Sequence, residues 1–122
     1  MSDYINIDLI NNDYVYKICP IREWKKSLSK GKFEGYGIDV ADKFIHFSSA
    51  IQVKETLNIH YKGVRRLCLL KVSSKDLNIK WEKARNGQLF PHLYDTFNIN
   101  CVTTVITLKL NDKGVHILPA LD

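Results

Sequence analysis

The run Leu67-Cys68-Leu69-Leu70-Lys71-Val72 constrains the fold more than any other segment, because it offers almost no polar side to water. A strand that must be covered on both faces belongs inside a sheet with a layer above it and another below. The rest of the chain has to supply those layers. Tyr14-Val15-Tyr16-Lys17-Ile18-Cys19 has the β-branched and aromatic content of a second strand, with Tyr14, Tyr16 and Ile18 on one face and Pro20 ending it.

Two early helices are expected as covers. Pro20 loses no hydrogen bond in a first helical turn, and Ile21, Trp24 and Leu28 recur at helical spacing before Gly31, predicting a helix from about Pro20 to Lys30. Ser49 and Gln52 have the spacing of a capping box. Ala50, Val53, Leu57 and Tyr61 then form an apolar stripe that ends at Gly63, predicting a second helix. Between them, residues 31 to 42 carry Gly31, Gly35 and Gly37 without a period and read as a loop of a length that often serves function.

Phe44-Ile45-His46-Phe47-Ser48 reads as a strand with Phe44, His46 and Ser48 on one face. Later strands are expected at Asn78 to Glu82, at Asn100 to Leu110 with Val102, Thr104, Ile106, Leu108 and Leu110 on one side, and at Val115 to Leu118 after a turn at Asn111 to Gly114. Helices first and strands last predict an α+β fold with a mostly antiparallel sheet. With no repeat or linker, the chain reads as a polar leader over residues 1–13 and a single compact domain over 14–122.

The leader lacks the basic start and apolar middle of a secretory signal, and no apolar run nears the roughly 20 residues of a membrane span, so a cytoplasmic location is expected. Cys19, Cys68 and Cys101 are odd in number and widely spaced in apolar surroundings, which suits reduced core thiols better than a disulfide framework. No CxxC, HExxH or HxH spacing is present to seat a metal. The net charge of +5 favours phosphates or nucleotides as partners. The chain lacks the aromatic and glycine signature of an RNA-recognition module, which makes nucleic acid the lesser alternative.

Three places could carry chemistry. His46 and Ser48 sit just ahead of an expected helix start, where unpaired N–H groups favour phosphate or carboxylate. In Leu89-Phe90-Pro91-His92-Leu93-Tyr94, Pro91 is expected to hold an extended loop that presents His92 and Tyr94, two groups that donate and accept protons; the plain alternative is a hydrophobic plug. Glu82 follows Trp81, and shielding by the indole would raise its pKa and make it an acid or base; the alternative is an exposed strand glutamate. His60, His116, Arg65 and Arg66 read as surface or edge positions outside the site.

Taken together, Tyr16 to Trp24, Phe44 to Ala50 with Gln52, Trp81-Glu82 and the Leu-Phe-Pro-His-Leu-Tyr segment resemble a bacterial family catalogued as domain of unknown function 952, over roughly residues 14 to 119. That family is similar to compact members of the ADP-ribosyltransferase fold, which implies a split antiparallel sheet cradling a nucleotide. The resemblance implies NAD across the split, with Lys17, His46 and Ser48 toward a ribose or phosphate and His92 and Tyr94 on the nicotinamide side. Glu82 would stabilise an oxocarbenium-like transition state of ADP-ribosyl transfer. The chain departs from many relatives at Lys17, where they carry histidine, at Gln88, where they carry glutamate, and at Asp95, where glycine is common. A non-catalytic module for a nucleotide or phosphorylated metabolite, or an RNA-binding or RNA-processing protein, are the alternatives.

Overall fold

The computed structural model describes residues 13–121; the leader lies outside them except for Asp13. In chain order the elements are β1 (Tyr14–Pro20), α1 (Ile21–Lys30), β2 (Lys32–Phe33), α2 (Ile38–Asp42), β3 (Ile45–His46), α3 (Val53–His60) and β4 (Leu67–Ser73). They continue with β5 (Lys80–Lys83), a 3-10 turn (Arg85–Gly87), β6 (Leu89–Leu93), β7 (Phe97–Asn98), a second 3-10 turn (Ile99–Cys101), β8 (Val102–Leu110) and β9 (His116–Ile117). The fold is α+β and every strand pairing is antiparallel.

The apolar run becomes β4, an interior strand of the sheet ordered β1-β4-β8-β9. Cys68, Leu70 and Val72 face one way, where they meet Ile45 and Leu93 from a second sheet ordered β3-β6-β5 and Phe33 and Phe97 from the ribbon β2-β7. Leu67 and Leu69 face the other way, onto Val53 and Leu57 of α3. Each fully buried aliphatic or aromatic side chain stabilises by about 1.5–3 kcal/mol, so the two-sided strand is the main anchor of the core. Cys19 and Cys68 face each other across β1 and β4 as free buried thiols with their sulfurs 3.7 Å apart.

The two larger sheets meet at a split whose position follows from Pro91. Phe47 N–H donates to the Pro91 carbonyl at 3.0 Å, but proline has no N–H to return. The β3–β6 ladder therefore ends at His46, and the chain swings to β1, where Ser48 and Tyr16 exchange two backbone hydrogen bonds of 2.8 Å. Among the described residues that bridge joins the two sheets.

Several expectations change in the folded chain. The segment 31–42 is not a plain loop: it contains β2 and α2, making three helices rather than two. Gly31, at φ 79°, closes α1 with its N–H on the Ser27 carbonyl, and Phe33 is then buried against Phe97. In α1 the apolar stripe is shorter than the spacing implied, since Ser27 is buried and Leu28 is half exposed. The helix expected from Ser49 starts at Val53. One half of the expected capping box forms, as Gln52 Oε1 accepts the Ser49 N–H at 3.0 Å, while Gln52 Nε2 donates to the Leu89 carbonyl at 2.8 Å. Gln52 thus ties the entry of α3 to β6.

The Leu-Phe-Pro-His-Leu-Tyr segment is not a loop either, for its first five residues are β6, the middle strand of its sheet. Val102 and Ile106 do not share a face. The β4–β8 register slips between Lys71 and Val72, so Thr103 is bulged out and Val102 turns to the core layer opposite that of Ile106. His116, expected at the surface, is buried and contacts the Val64 carbonyl at 2.8 Å.

Candidate functional site

Strand alternation on β3, β6 and β5 sends Ile45, Leu93 and Trp81 into the core and leaves His46, His92, Phe90 and Glu82 on the opposite face. There the split opens a cleft of about 420 Å³, within the range of small-molecule sites. Lys17, Ser48, His46 and His92 line it, together with Tyr36, Tyr61, Thr56 and Arg85. The sequence thus brings four of its six named residues to one cavity.

The remaining two sit behind His92. Glu82 Oε1 lies 2.8 Å from His92 Nδ1 and accepts the Tyr94 hydroxyl at 2.7 Å. Phe44 packs on the rings of His46, His92 and Tyr94 at 4.2–5.0 Å between centroids, which fixes the orientation of all three. Glu82 is held below the ordinary carboxylate pKa, first by the Tyr94 hydrogen bond and then by His92. The expectation of a raised value fails for a geometric reason: Trp81 points into the core and Glu82 away from it, so the indole cannot shield the carboxylate. An ionised Glu82 accepts a hydrogen bond from Nδ1–H, which in the neutral ring makes Nε2 of His92 the acceptor. Tyr94 keeps its proton, its pKa raised by donation to Glu82.

Lys17 and His46 are organised by a residue the sequence did not single out. Asp39 is 3% exposed and receives Lys17 Nζ at 2.8 Å, the backbone N–H and Nδ1 of His46 at 3.0 and 2.7 Å, and the Tyr36 N–H at 3.1 Å. Burial alone would raise its pKa, yet the bonds from His46 and Lys17 outweigh burial and hold it low. The Lys17 pKa falls below its ordinary value, because burial exceeds what Asp39 returns; its Nζ also donates to the His46 carbonyl at 2.9 Å. The difference between the partners is one of supply, since Asp39 collects three N–H donors besides Lys17. A phosphate would therefore meet Lys17 as a neutralised ion pair. His46 Nε2 also reaches Asp42 at 3.0 Å, so each ring nitrogen faces a carboxylate.

The glycines of the 31–42 segment make this possible. Gly35 has φ 89°, and a Cβ there would come within 2.9 Å of the Asp39 Cβ. We expect Gly35→Ala to cost about 1–3 kcal/mol from backbone strain alone and to push Asp39 off Lys17. Thermal unfolding would measure the first effect, and the amide shifts of His46 the second; an unchanged His46 amide would refute the coupling.

At the far wall, burial raises the pKa of Tyr36 and Tyr61, whose hydroxyls lie 2.7 Å apart, so both stay protonated as hydrogen-bonding groups. His60, placed outside the site by its sequence context, lines the cleft. Arg85 does so too. One signal pointed to Asp39: a lysine between Tyr16 and Ile18 in an apolar strand needs a buried carboxylate. No comparable signal marked Arg85. Among the described residues, no cluster of His, Cys, Asp and Glu is placed to hold a metal, and no helix is long and apolar enough to cross a membrane.

Comparison with known proteins returns the same family as the motifs. The model of the family described as "Protein of unknown function (DUF952)" matches residues 18–105. The chain is similar to protein CC0527 from Caulobacter crescentus: to its crystal structure with a TM-score of 0.81 and 39% identity, over 85% of this chain and 93% of that one. The solution structure of the same protein gives a TM-score of 0.76 and 39% identity, over 84% and 90% of the two chains. No curated protein sequence matches.

Proposed function

The chain belongs to the DUF952 family of proteins of unknown function, and from its geometry we propose that the split between β1 and β3 is a nucleotide site for NAD or a related ADP-ribosyl compound. The observation that carries this reading is the convergence of His46, Ser48 and His92 on one cleft at the divergence of two antiparallel sheets. It suits a ligand with ribose hydroxyls to bond and a charged linker to place, and it agrees with the ADP-ribosyltransferase-like arrangement that the motifs imply.

His92 is the proposed catalytic base. With Nδ1–H donated to Glu82, Nε2 takes the proton of an acceptor hydroxyl as that oxygen bonds to C1′ of the nicotinamide ribose. The C1′–N bond breaks and neutral nicotinamide leaves with the electron pair. Glu82 is a positioning residue, whose negative charge also favours the positive imidazolium and the oxocarbenium-like transition state. Lys17 with Asp39 holds His46 and the strand edge in place, leaving ligand contact to Ser48 and, where a ligand displaces the exposed Asp42 carboxylate, to His46 Nε2. A cytoplasmic setting, where NAD is abundant, completes the proposal.

Isothermal titration with NAD, ADP-ribose and inorganic phosphate tests it. Saturable binding of NAD or ADP-ribose, weakened at least tenfold in His46→Ala with the fold intact by circular dichroism, is expected. Binding of phosphate but of neither nucleotide would refute the nucleotide reading, and binding of RNA alone with a steep salt dependence would transfer the site to a nucleic-acid partner.

A further inference from the structure

Arg85 occupies an unusual position for a turn residue. It opens the Arg85–Gly87 turn, in which Asn86 and Gly87 take positive φ of 56° and 74°, and this directs its side chain back over the cleft. The guanidinium lies 5.0 Å from the Phe90 ring centroid. Its Nη2 donates to Thr56 Oγ1 at 3.3 Å, and Thr56 Oγ1 is 3.2 Å from Ser48 Oγ. Guanidinium and two hydroxyls thus form one continuous polar wall from the turn to the bridge between the sheets. All three groups line the cavity.

The wall is underused. A guanidinium carries five N–H donors, and here it makes one hydrogen bond among the described residues, where Nε is buried without a hydrogen-bond partner. Glu55 Oε1 comes within 3.3 Å of Nε as an ion pair, but the angle is poor for a hydrogen bond and the Glu55 side chain is 49% exposed. A carboxylate that exposed exchanges readily for a better-shaped anion. Lys17, the other cation on the cleft, is neutralised by Asp39.

We infer that Arg85, Thr56 and Ser48 form a phosphoryl subsite, with Glu55 as the built-in competitor that an incoming phosphate displaces. The ligand class is a phosphate ester or pyrophosphate, bound side-on by the guanidinium fork and steadied by the two hydroxyls. This rests on the reading of the cleft as a nucleotide site and assigns its charged linker to the Arg85, Thr56 and Ser48 wall.

Nitrogen-15 NMR titration of the whole chain with inorganic pyrophosphate, ADP-ribose and adenosine tests it. Pyrophosphate alone is expected to shift the amides of Thr56 and Arg85 to Gln88. Arg85→Gln should weaken pyrophosphate and ADP-ribose by about tenfold to a hundredfold, as expected for charge-assisted hydrogen bonds, while Glu55→Gln should tighten both several-fold. A merely structural Arg85–Glu55 clamp predicts instead that Glu55→Gln leaves affinity unchanged, which overturns the inference, as does full-strength ADP-ribose binding in Arg85→Gln; in both cases the nucleotide reading stands. Pyrophosphate binding at this wall without any gain from the nucleoside supports the subsite and removes the nucleotide reading. Silence toward all three compounds overturns both.

Discussion

Lys17→Met is expected to destabilise the fold by about 3–5 kcal/mol, the cost of leaving a buried charge without its partner. The variant keeps the apolar length of the side chain and removes only the ammonium, so Asp39 stays 3% exposed with the N–H groups of Tyr36 and His46 but without its lysine partner. The pH dependence separates this cause from lost packing. Asp39 has a folded pKa below its unfolded value, so its contribution is fully present above the unfolded value, about 3.9, and is lost as pH falls through the folded one. Without Lys17, two of the causes that hold the carboxyl low are gone, and it titrates higher than in the wild type. The wild type and variant should therefore differ most near neutral pH and converge under acid. Lys17→Met with Asp39→Asn should regain part of the loss, because the amide oxygen still accepts from His46 without carrying charge, although the amide nitrogen then faces the Tyr36 N–H. Urea unfolding from pH 7 to pH 3 provides the measurement; a deficit under about 1 kcal/mol, or one independent of pH, would show that the pair is not what holds α2 to β1.

The sequence made the layered core legible because burial on both faces leaves a continuous apolar run, as at Leu67 to Val72, and one-sided burial leaves a period, as at Val53 and Leu57. What it concealed was set by pairing partners distant in sequence. Phe33 is in β2 because Phe97 lies opposite, and two residues are too few to show a period. Leu89 to Leu93 contains a proline, which argues against an interior strand; here the missing N–H falls where the β3 ladder ends and so creates the split. The Thr103 bulge reversed the alternation of β8 without any residue that marks it. The site followed the same division. His46, Ser48 and His92 were readable as polar groups in apolar strands, whereas Asp39 and Arg85 reach the cleft only through turns whose direction depends on Gly35 and on Asn86-Gly87. Glu82 was found for the wrong reason: its importance comes from His92 and Tyr94, which bond to it across the sheet, and not from its neighbour Trp81.

His92→Asn should separate binding from chemistry if the dyad acts as proposed. Asparagine offers Glu82 an N–H near the place of Nδ1–H and has nothing at the place of Nε2, so the Glu82 and Tyr94 hydrogen bonds survive and the base does not. Removal of a general base costs about 10²–10⁴ in rate, and ADP-ribose affinity should change by less than threefold. Glu82→Gln should lose less, since its amide oxygen still accepts from Nδ1–H while the charge that favours the imidazolium is gone. Nicotinamide release from NAD, followed by chromatography beside ADP-ribose titrations of each variant, gives both quantities on the same protein. Turnover within threefold of wild type in His92→Asn would exclude His92 as the base. A wild type that binds ADP-ribose but releases no nicotinamide would make the cleft a sensor of nucleotides, with the Glu82–His92 pair serving recognition through its fixed tautomer.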